Sequence, residues 1–511
     1  MLKRAILTTF ILFLTFGPIA AQEAPSSGFD KEAYIASLSR NKILELGIVD
    51  CIGYALKANS EIKLMKIEPM KATSDVRIAK SEFEPRFTFD WMMEDDTELA
   101  PTTLIDQNTS KVRTGDFDFG YEQKFTTGTQ VDLDFLNTRT RSNSAIQIMN
   151  PEFDSRAQVT ITQPMLKGFG IIVNKAEYLI AKNNKLKSDQ DFRGRVIDVL
   201  TDVKTKYYLF QYSQEQYKVA IAAFERVESL HQINIEKYAK GLASNVDLLQ
   251  SEAELARMEE AVLASENEMH RAEDDLKLIT NLIDDVELWT ATIVLLDKLG
   301  YEKRDLNVVE ACSTAFQYRP DYEAAKLNLK NKDISVIYYK NNMLPTLDLV
   351  GSYGLNGLGK NFEKDMGHMG GGKYPDWIIG VSAKLPLFSD EEKGKYEKSK
   401  YDKTQALISF QRLEEKIILE VREAVRDVVT RYNILKASLK SKEAQEKNYE
   451  AQETRFRAGL VSTHDIVDYQ EKLARAQLNY VLSVVDYNIS LADFAKAQGT
   501  TLVEEGVKID S

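Results

Sequence analysis

The sequence predicts an α+β membrane protein, in which strands set in lipid continue into a long α-helical coiled coil. Three observations carry that prediction. The N-terminus has the layout of an export signal, the chain reads as two copies of one helix–strand–strand–helix unit, and its strand sections alternate aromatic with acidic residues between long helical stretches free of proline. The chain has 511 residues with 66 Lys and Arg against 78 Asp and Glu, a formal net charge of −12. That surplus repels a phosphate backbone, so no nucleic-acid partner is expected. Four His and two Cys supply neither a disulfide framework nor a zinc-finger array.

Lys3 and Arg4 precede an apolar run from Ala5 to Phe16, then Gly17-Pro18 and the small residues Ala20-Ala21. This is the layout of a secretory signal peptide over 1–21. The run is too short to cross about 30 Å of hydrocarbon as a helix. No Cys follows the cleavage region, so an acyl anchor is not expected. Loss of Lys3 and Arg4 takes the charge from −12 to −14. No later segment has 18 consecutive apolar residues, so any membrane passage must be by a β-barrel.

The run Gly241-Leu242-Ala243-Ser244-Asn245-Val246-Asp247 matches Gly459-Leu460-Val461-Ser462-Thr463-His464-Asp465 at an offset of 218. Ala55 pairs with Ala315 and Pro85 with Pro345 at offset 260, and Pro164 with Pro386 at 222. These colinear matches divide the chain into a leader segment 22–42, a first repeat 43–300, a second repeat 303–500 and a tail 501–511. In the first repeat the β section covers 85–164 and long helices 174–283; in the second, 345–386 and 391–498. Helical segments 43–82 and 305–342 precede the two β sections. The offset falls by 38 between the proline pairs, so the first β section carries extra residues.

No proline lies between Pro164 and Pro320, and none follows Pro386, which permits very long helices. Val196, Leu200, Val203, Tyr207 and Phe210 step by three and four, as do Ile418, Val421, Val425, Val428, Tyr432, Leu435 and Leu439. Each set is a coiled-coil seam on an otherwise charged helix. In the β sections, Phe87, Phe89, Trp91 and Met93 alternate with Thr88 and Asp90, Phe117, Phe119 and Tyr121 with Asp116, Asp118 and Glu122, and Trp377, Ile379 and Val381 with Gly380 and Ser382. An aromatic face opposite an acidic one suits strands between lipid and a wet lumen, with Trp91 and Trp377 as membrane-interface aromatics. One chain offers four to six strands and the smallest membrane barrels need about eight, so several chains must close the wall. The extra hairpin, 113–139, turns at Thr126-Thr127-Gly128-Thr129 and is expected to project, leaving four strands per chain.

With these residues in place, the chain resembles the TolC family of outer-membrane efflux and secretion channels. The resemblance covers about 43–500. It rests on the two-copy plan, Arg319-Pro320-Asp321, Leu344-Pro345-Thr346-Leu347-Asp348-Leu349, Gln163-Pro164-Met165-Leu166-Lys167-Gly168-Phe169-Gly170, Arg455-Phe456-Arg457-Ala458-Gly459-Leu460 and Ala497-Gln498-Gly499-Thr500. It implies a homotrimer whose 12-stranded barrel continues into a periplasmic helical tunnel. It further implies a periplasmic adaptor (membrane fusion) protein, an inner-membrane transporter and outer-membrane lipid as partners, with no chemistry and no cofactor. The adaptor-docking tips would be Gly241-Leu242 and Gly459-Leu460. Asp465 and Asp468 match the family's entrance carboxylates, which three chains would stack as acidic rings. Asp465 also suits the N-terminal cap of the returning helix, and the two roles can coexist. Asp247 matches the first-copy aspartate that helps lock the entrance. Phe456 and Val461 stand where the family has its Tyr and Arg partners, so a looser or differently latched entrance is expected.

Gly367-His368-Met369-Gly370-Gly371-Gly372-Lys373 nearly spells a P-loop, but Tyr374 replaces the Mg²⁺-binding hydroxyl, and a flexible loop between strands is expected instead. His231, His270, His368 and His464 have no ligand spacing, and no catalytic grouping emerges. Cys51 and Cys312 occupy nearly equivalent places in the two copies and are expected to be free thiols. A periplasmic coiled-coil scaffold or adaptor without a channel would explain the helices but not the aromatic strands.

Overall fold

The computed structural model describes residues 43–99, 109–144, 146–282 and 286–509. The signal peptide and leader expected over 1–42 lie outside the described residues. The elements run β1 (Ile43–Leu46), α1 (Ile48–Ala58), α2 (Ser60–Lys80), β2 (Arg86–Leu99), β3 (Thr109–Lys124), β4 (Gln130–Ser142), β5 (Glu152–Pro164), α3 (Ala176–Ala239), α4 (Asn245–Thr280) and β6 (Thr292–Leu295). Then follow α5 (Val308–Tyr318), α6 (Pro320–Asn342), β7 (Thr346–Gly359), α7 (Phe362–Gly370), β8 (Pro375–Lys384), α8 (Asp390–Arg457) and α9 (Thr463–Gln498). The tail holds one helical turn, Thr501–Glu504.

The segment expected to be helical from residue 43 opens with a strand. β1 pairs in parallel with β6, Leu46 opposite Leu295, and buries Leu46 beside Ile293 in the first core. Two four-residue strands are too short to show a period, which is why the pair escapes a reading by alternation. Asp297, just past β6, caps α1 by accepting from the Ile48 N–H at 2.8 Å and also holds the Tyr207 hydroxyl at 2.7 Å.

The large sheet has six antiparallel strands in the order β2-β3-β4-β5-β7-β8. This corrects the expected projecting hairpin. β3 pairs with β2 along its length, Phe117 opposite Trp91 and Tyr121 opposite Phe87, while β4 bridges β3 to β5. The physical reason lies at the hairpin turn, which is docked rather than free. Gly128 has φ +95°, and a Cβ there would stand 2.8 Å from Asn174 Nδ2 and 2.9 Å from Pro164 Cγ. Thr129 Oγ1 donates to Gln163 at 2.5 Å, and Lys124 pairs with Glu82 at 2.6 Å. Tied at its base, the hairpin extends the same two faces instead of leaving the wall. The register aligns Phe87, Tyr121, Leu133, Val159, Tyr353 and Trp377 in one row across all six strands, so one face is apolar throughout.

The segment after β7 also differs from expectation, since Gly367–Gly370 form the last turn of α7 instead of a flexible loop. Asp365 anchors this helix, fully buried and accepting from the Ser155 hydroxyl and the Asn137 amide. Gly357 and Gly359 make that approach possible, because a Cβ on either would collide with the α7 backbone.

α3 has 64 residues and α8 has 68, or roughly 96 and 102 Å of helix. The α3 seam is as expected, with Val196, Leu200, Val203, Tyr207 and Phe210 all buried. On α8 the seam holds at Val421, Val425, Val428 and Leu435, but Ile417 is buried and Ile418 is 40% exposed. Ile417 sits four residues before Val421 and so falls on the stripe. The first core gathers Cys51, Ala55, Leu200 and Tyr207, and the second Ala311, Ala315, Val421 and Tyr487.

Cys51 and Cys312 are free, one against each core. Burial, with Asp50 and Asp297 adding to it, pushes the Cys51 thiol up to about 12. The neutral form therefore persists at pH 8, with a thiolate fraction on the order of 10⁻⁴. Alkylation of the native protein at pH 8 should modify Cys312 first and leave Cys51 intact until denaturant is added. Rapid native modification of Cys51 would contradict its burial.

Candidate pore-lining face and helical tips

Both long hairpins turn on a glycine in the left-handed region, Gly241 at φ +70° and Gly459 at φ +76°. The Leu242 N–H reaches back to the Lys237 carbonyl at 2.8 Å, and the Leu460 N–H to the Arg455 carbonyl at 3.0 Å, which satisfies the last carbonyls of α3 and α8. Leu242 and Leu460 are left 75% and 69% exposed. At each tip a capping box starts the returning helix. Ser244 Oγ accepts from the Asp247 N–H at 3.2 Å and donates to Asp247 Oδ2 at 2.7 Å, while Ser462 does the same for Asp465 at 3.2 and 2.6 Å. Hydrogen bonding by the serine hydroxyls holds both carboxyls below the usual range. Asp465 is thus a cap in this fold, using Oδ2 alone, and Asp247 is its counterpart. Asp468 lies farther along α9 and pairs with Lys472 at 2.6 Å.

The two tips meet. Phe456 is buried in a small third core with Leu230, Tyr449, Ile466 and Leu473, and the Lys237 ammonium sits 4.1 Å from the centre of its ring. Thr463 Oγ1 adds a contact to Asn234 at 3.5 Å. A cation–π contact thus joins α3 to α8 beside the two glycine turns. Sequence reading missed Lys237, because nothing in either helix alone shows which partner will stack on it.

On the sheet, the face opposite the aromatics is strongly acidic. Asp90 stands across from Asp118, Met92 from Asp116, Asp132 from Glu122, and Asp134 from Gly120. Arg156 crosses β7 to reach Asp376 at 2.5 Å, joined by Asn356 at 3.0 Å. Gly354 between them leaves the room that the Asp376 carboxylate fills. Residues 220 positions apart form this bridge, so no local pattern announced it. Trp91 and Trp377 lie on the apolar face, 70% and 69% exposed, opposite Phe117 and Tyr353.

Comparison with known proteins follows the same outline. The model of the Outer membrane efflux protein family matches residues 51–282 and 311–500. The chain is 24% identical over 298 residues to the probable efflux pump outer membrane protein TtgC of Pseudomonas putida, covering 57% of this chain and 58% of that one. It is 22% identical over 284 residues to outer membrane protein TolC of Vibrio cholerae, covering 54% and 62%. The matches thus span less than two thirds of these relatives' length. Among solved structures, the CmeC outer membrane channel of Campylobacter jejuni superposes with a TM-score of 0.67 at 19% identity, over 91% of this chain and 90% of that one. The open-state MtrE outer membrane channel of Neisseria gonorrhoeae gives 0.62 at 15%, over 89% of each. At such identities the likeness is one of fold.

Lys237→Met keeps the stem of the side chain and removes its charge, which should cost about 0.5–2 kcal/mol of tip contact. Amide exchange across residues 450–470 should quicken by a corresponding factor of roughly 2–30. Unchanged exchange would mean that the stacked ammonium holds nothing.

Proposed function

Since the chain belongs to the outer membrane efflux protein family, the TolC family, we propose that it is the outer-membrane exit duct of a tripartite efflux or type I secretion system. In that role it passes substrate from the periplasm or an inner-membrane pump to the exterior without chemistry of its own. The observation that carries this reading is the sheet, whose edges β2 and β8 are open among the described residues, with a continuous apolar face that has no place in water. Three chains would close edge to edge into a barrel of eighteen strands, in place of the twelve that four strands per chain would give. Barrel diameter grows roughly linearly with strand number, so the wall would be about half as wide again. The acidic face would line a cation-favouring lumen, and Trp91 and Trp377 would sit at the membrane interfaces.

Below the wall, the paired helices of three chains would form the periplasmic tunnel. Gly241, Leu242, Gly459 and Leu460 would dock the adaptor, with the exposed leucines as apolar contacts. Asp465 and Asp468 would ring the entrance, Asp465 also serving as a cap and Asp468 partly offset by Lys472. The shared element order of the halves, α1-α2 and α5-α6 before the strands and α3-α4 and α8-α9 after them, supports an origin by duplication with β3–β4 inserted into the first copy.

Extraction and planar-bilayer recording test the role together. The protein should require detergent for release from outer membranes and should conduct, preferring cations, with the preference reduced by Asp468→Asn. Release by osmotic shock alone, or a reconstituted protein that carries no current, would favour a soluble scaffold.

A further inference from the structure

Above its apolar band, the sheet sorts charge by face. On the apolar side the upper rows carry Lys111 and Arg113 of β3 and Arg139 and Arg141 of β4, against Asp95 of β2 and the buried Asp365 of α7, which is held by Ser155 and Asn137. On the opposite side the rows at the same height carry Glu94, Asp96, Glu98, Asp116, Glu152 and Asp154, with no Lys or Arg among these strands' residues there. A rim that merely met water would mix the signs on both faces.

Within the cationic patch, Arg113 and Arg141 are direct cross-strand partners, an arrangement that is unfavourable without an anion between them. Arg113 pairs with Asp95, and Arg139 lies over the Phe153 ring at 5.7 Å. Arg141 has no carboxylate partner among the described residues, and it is exposed. Height fits a membrane surface as well. Arg113 lies ten residues above Gln123, whose row holds Val131, Ile161 and Ile379, about 34 Å along the strand, or roughly 26 Å along the axis of a wall tilted by about 40°. That is the outer margin of an apolar band about 25 Å tall.

We propose that this patch binds the phosphate groups of the outer-leaflet glycolipid, with Arg139 and Arg141 as the principal ligands. Guanidinium forks match phosphate oxygens two at a time, and a shared anion relieves the Arg113–Arg141 repulsion. The inference rests on the barrel reading, which turns this face toward lipid. α7 is clamped onto the same face through Asp365, which accepts from Ser155 of β5 and Asn137 of β4, two residues before Arg139.

The test uses the full-length protein in nanodiscs doped with diphosphoryl lipid A or with its dephosphorylated form, and native mass spectrometry to count retained lipid. The wild type should retain the diphosphoryl form and not the other. Arg141→Gln should weaken retention about 5-fold, and Arg139→Gln with Arg141→Gln roughly 30-fold. Arg141→Lys should keep most of it. The single variant, losing no carboxylate partner among the described residues, also tests the proposal if the double variant assembles poorly. Equal retention of both lipids, or no loss in Arg141→Gln while assembly and conductance stay normal, overturns this proposal and leaves the channel role standing. A wild type that neither inserts nor conducts would remove the channel role itself.

Discussion

The structure depends on one constraint, the backbone hydrogen bonds of the two sheet edges. β2 presents 14 residues and β8 presents 10, each with one side unpaired among the described residues. In hydrocarbon every such N–H and C=O costs several kcal/mol, so edges of this length exist only if another chain closes them. The strand count makes that closure possible. β2 rises from the helices and β8 returns to them, so with six strands the edge of one chain meets the edge of the next in antiparallel sense. On the barrel reading, the apolar face would become the outside of a closed wall, and its exposure in a single chain would reflect the missing neighbours.

On that reading, the extra hairpin β3–β4 would alter the wall without altering what lies beneath it. Each half still supplies one pair of long helices, α3 with α4 and α8 with α9. On the trimeric reading the wall widens while the helical section keeps its family proportions. The tips, where Lys237 stacks on Phe456 and serine hydroxyls cap Asp247 and Asp465, would then form the narrowest point. Substrate choice would be governed there and by the pump below, with the broad acidic wall acting as an exit.

Much of this was legible because it depends on periodicity. The seams on α3 and α8, the glycine turns and the alternating strands follow from spacing alone, and even the Ile417 shift is a matter of one residue at the head of a stripe. What escaped depends on contacts distant in sequence. A hairpin has the same alternation whether it projects or joins a wall, and only the docking of Gly128 against Pro164 and Asn174 decides. β1 and β6 are four residues each, below the length at which a period can be seen. Asp465 showed both its readings, and the Ser462 hydroxyl fixes one of them. Lys237 on Phe456, Arg156 on Asp376 and Asp365 on Ser155 join segments from different parts of the chain, and helix-poor glycines concealed α7.

Cryo-electron microscopy of the purified protein in nanodiscs, resolved well enough to count strands, tests the central claim most directly. The account predicts a threefold particle whose barrel has eighteen strands, with β2 of each chain hydrogen-bonded to β8 of the next. A twelve-stranded barrel with residues 109–142 outside the wall, or a particle in which β2 and β8 remain open, would contradict it.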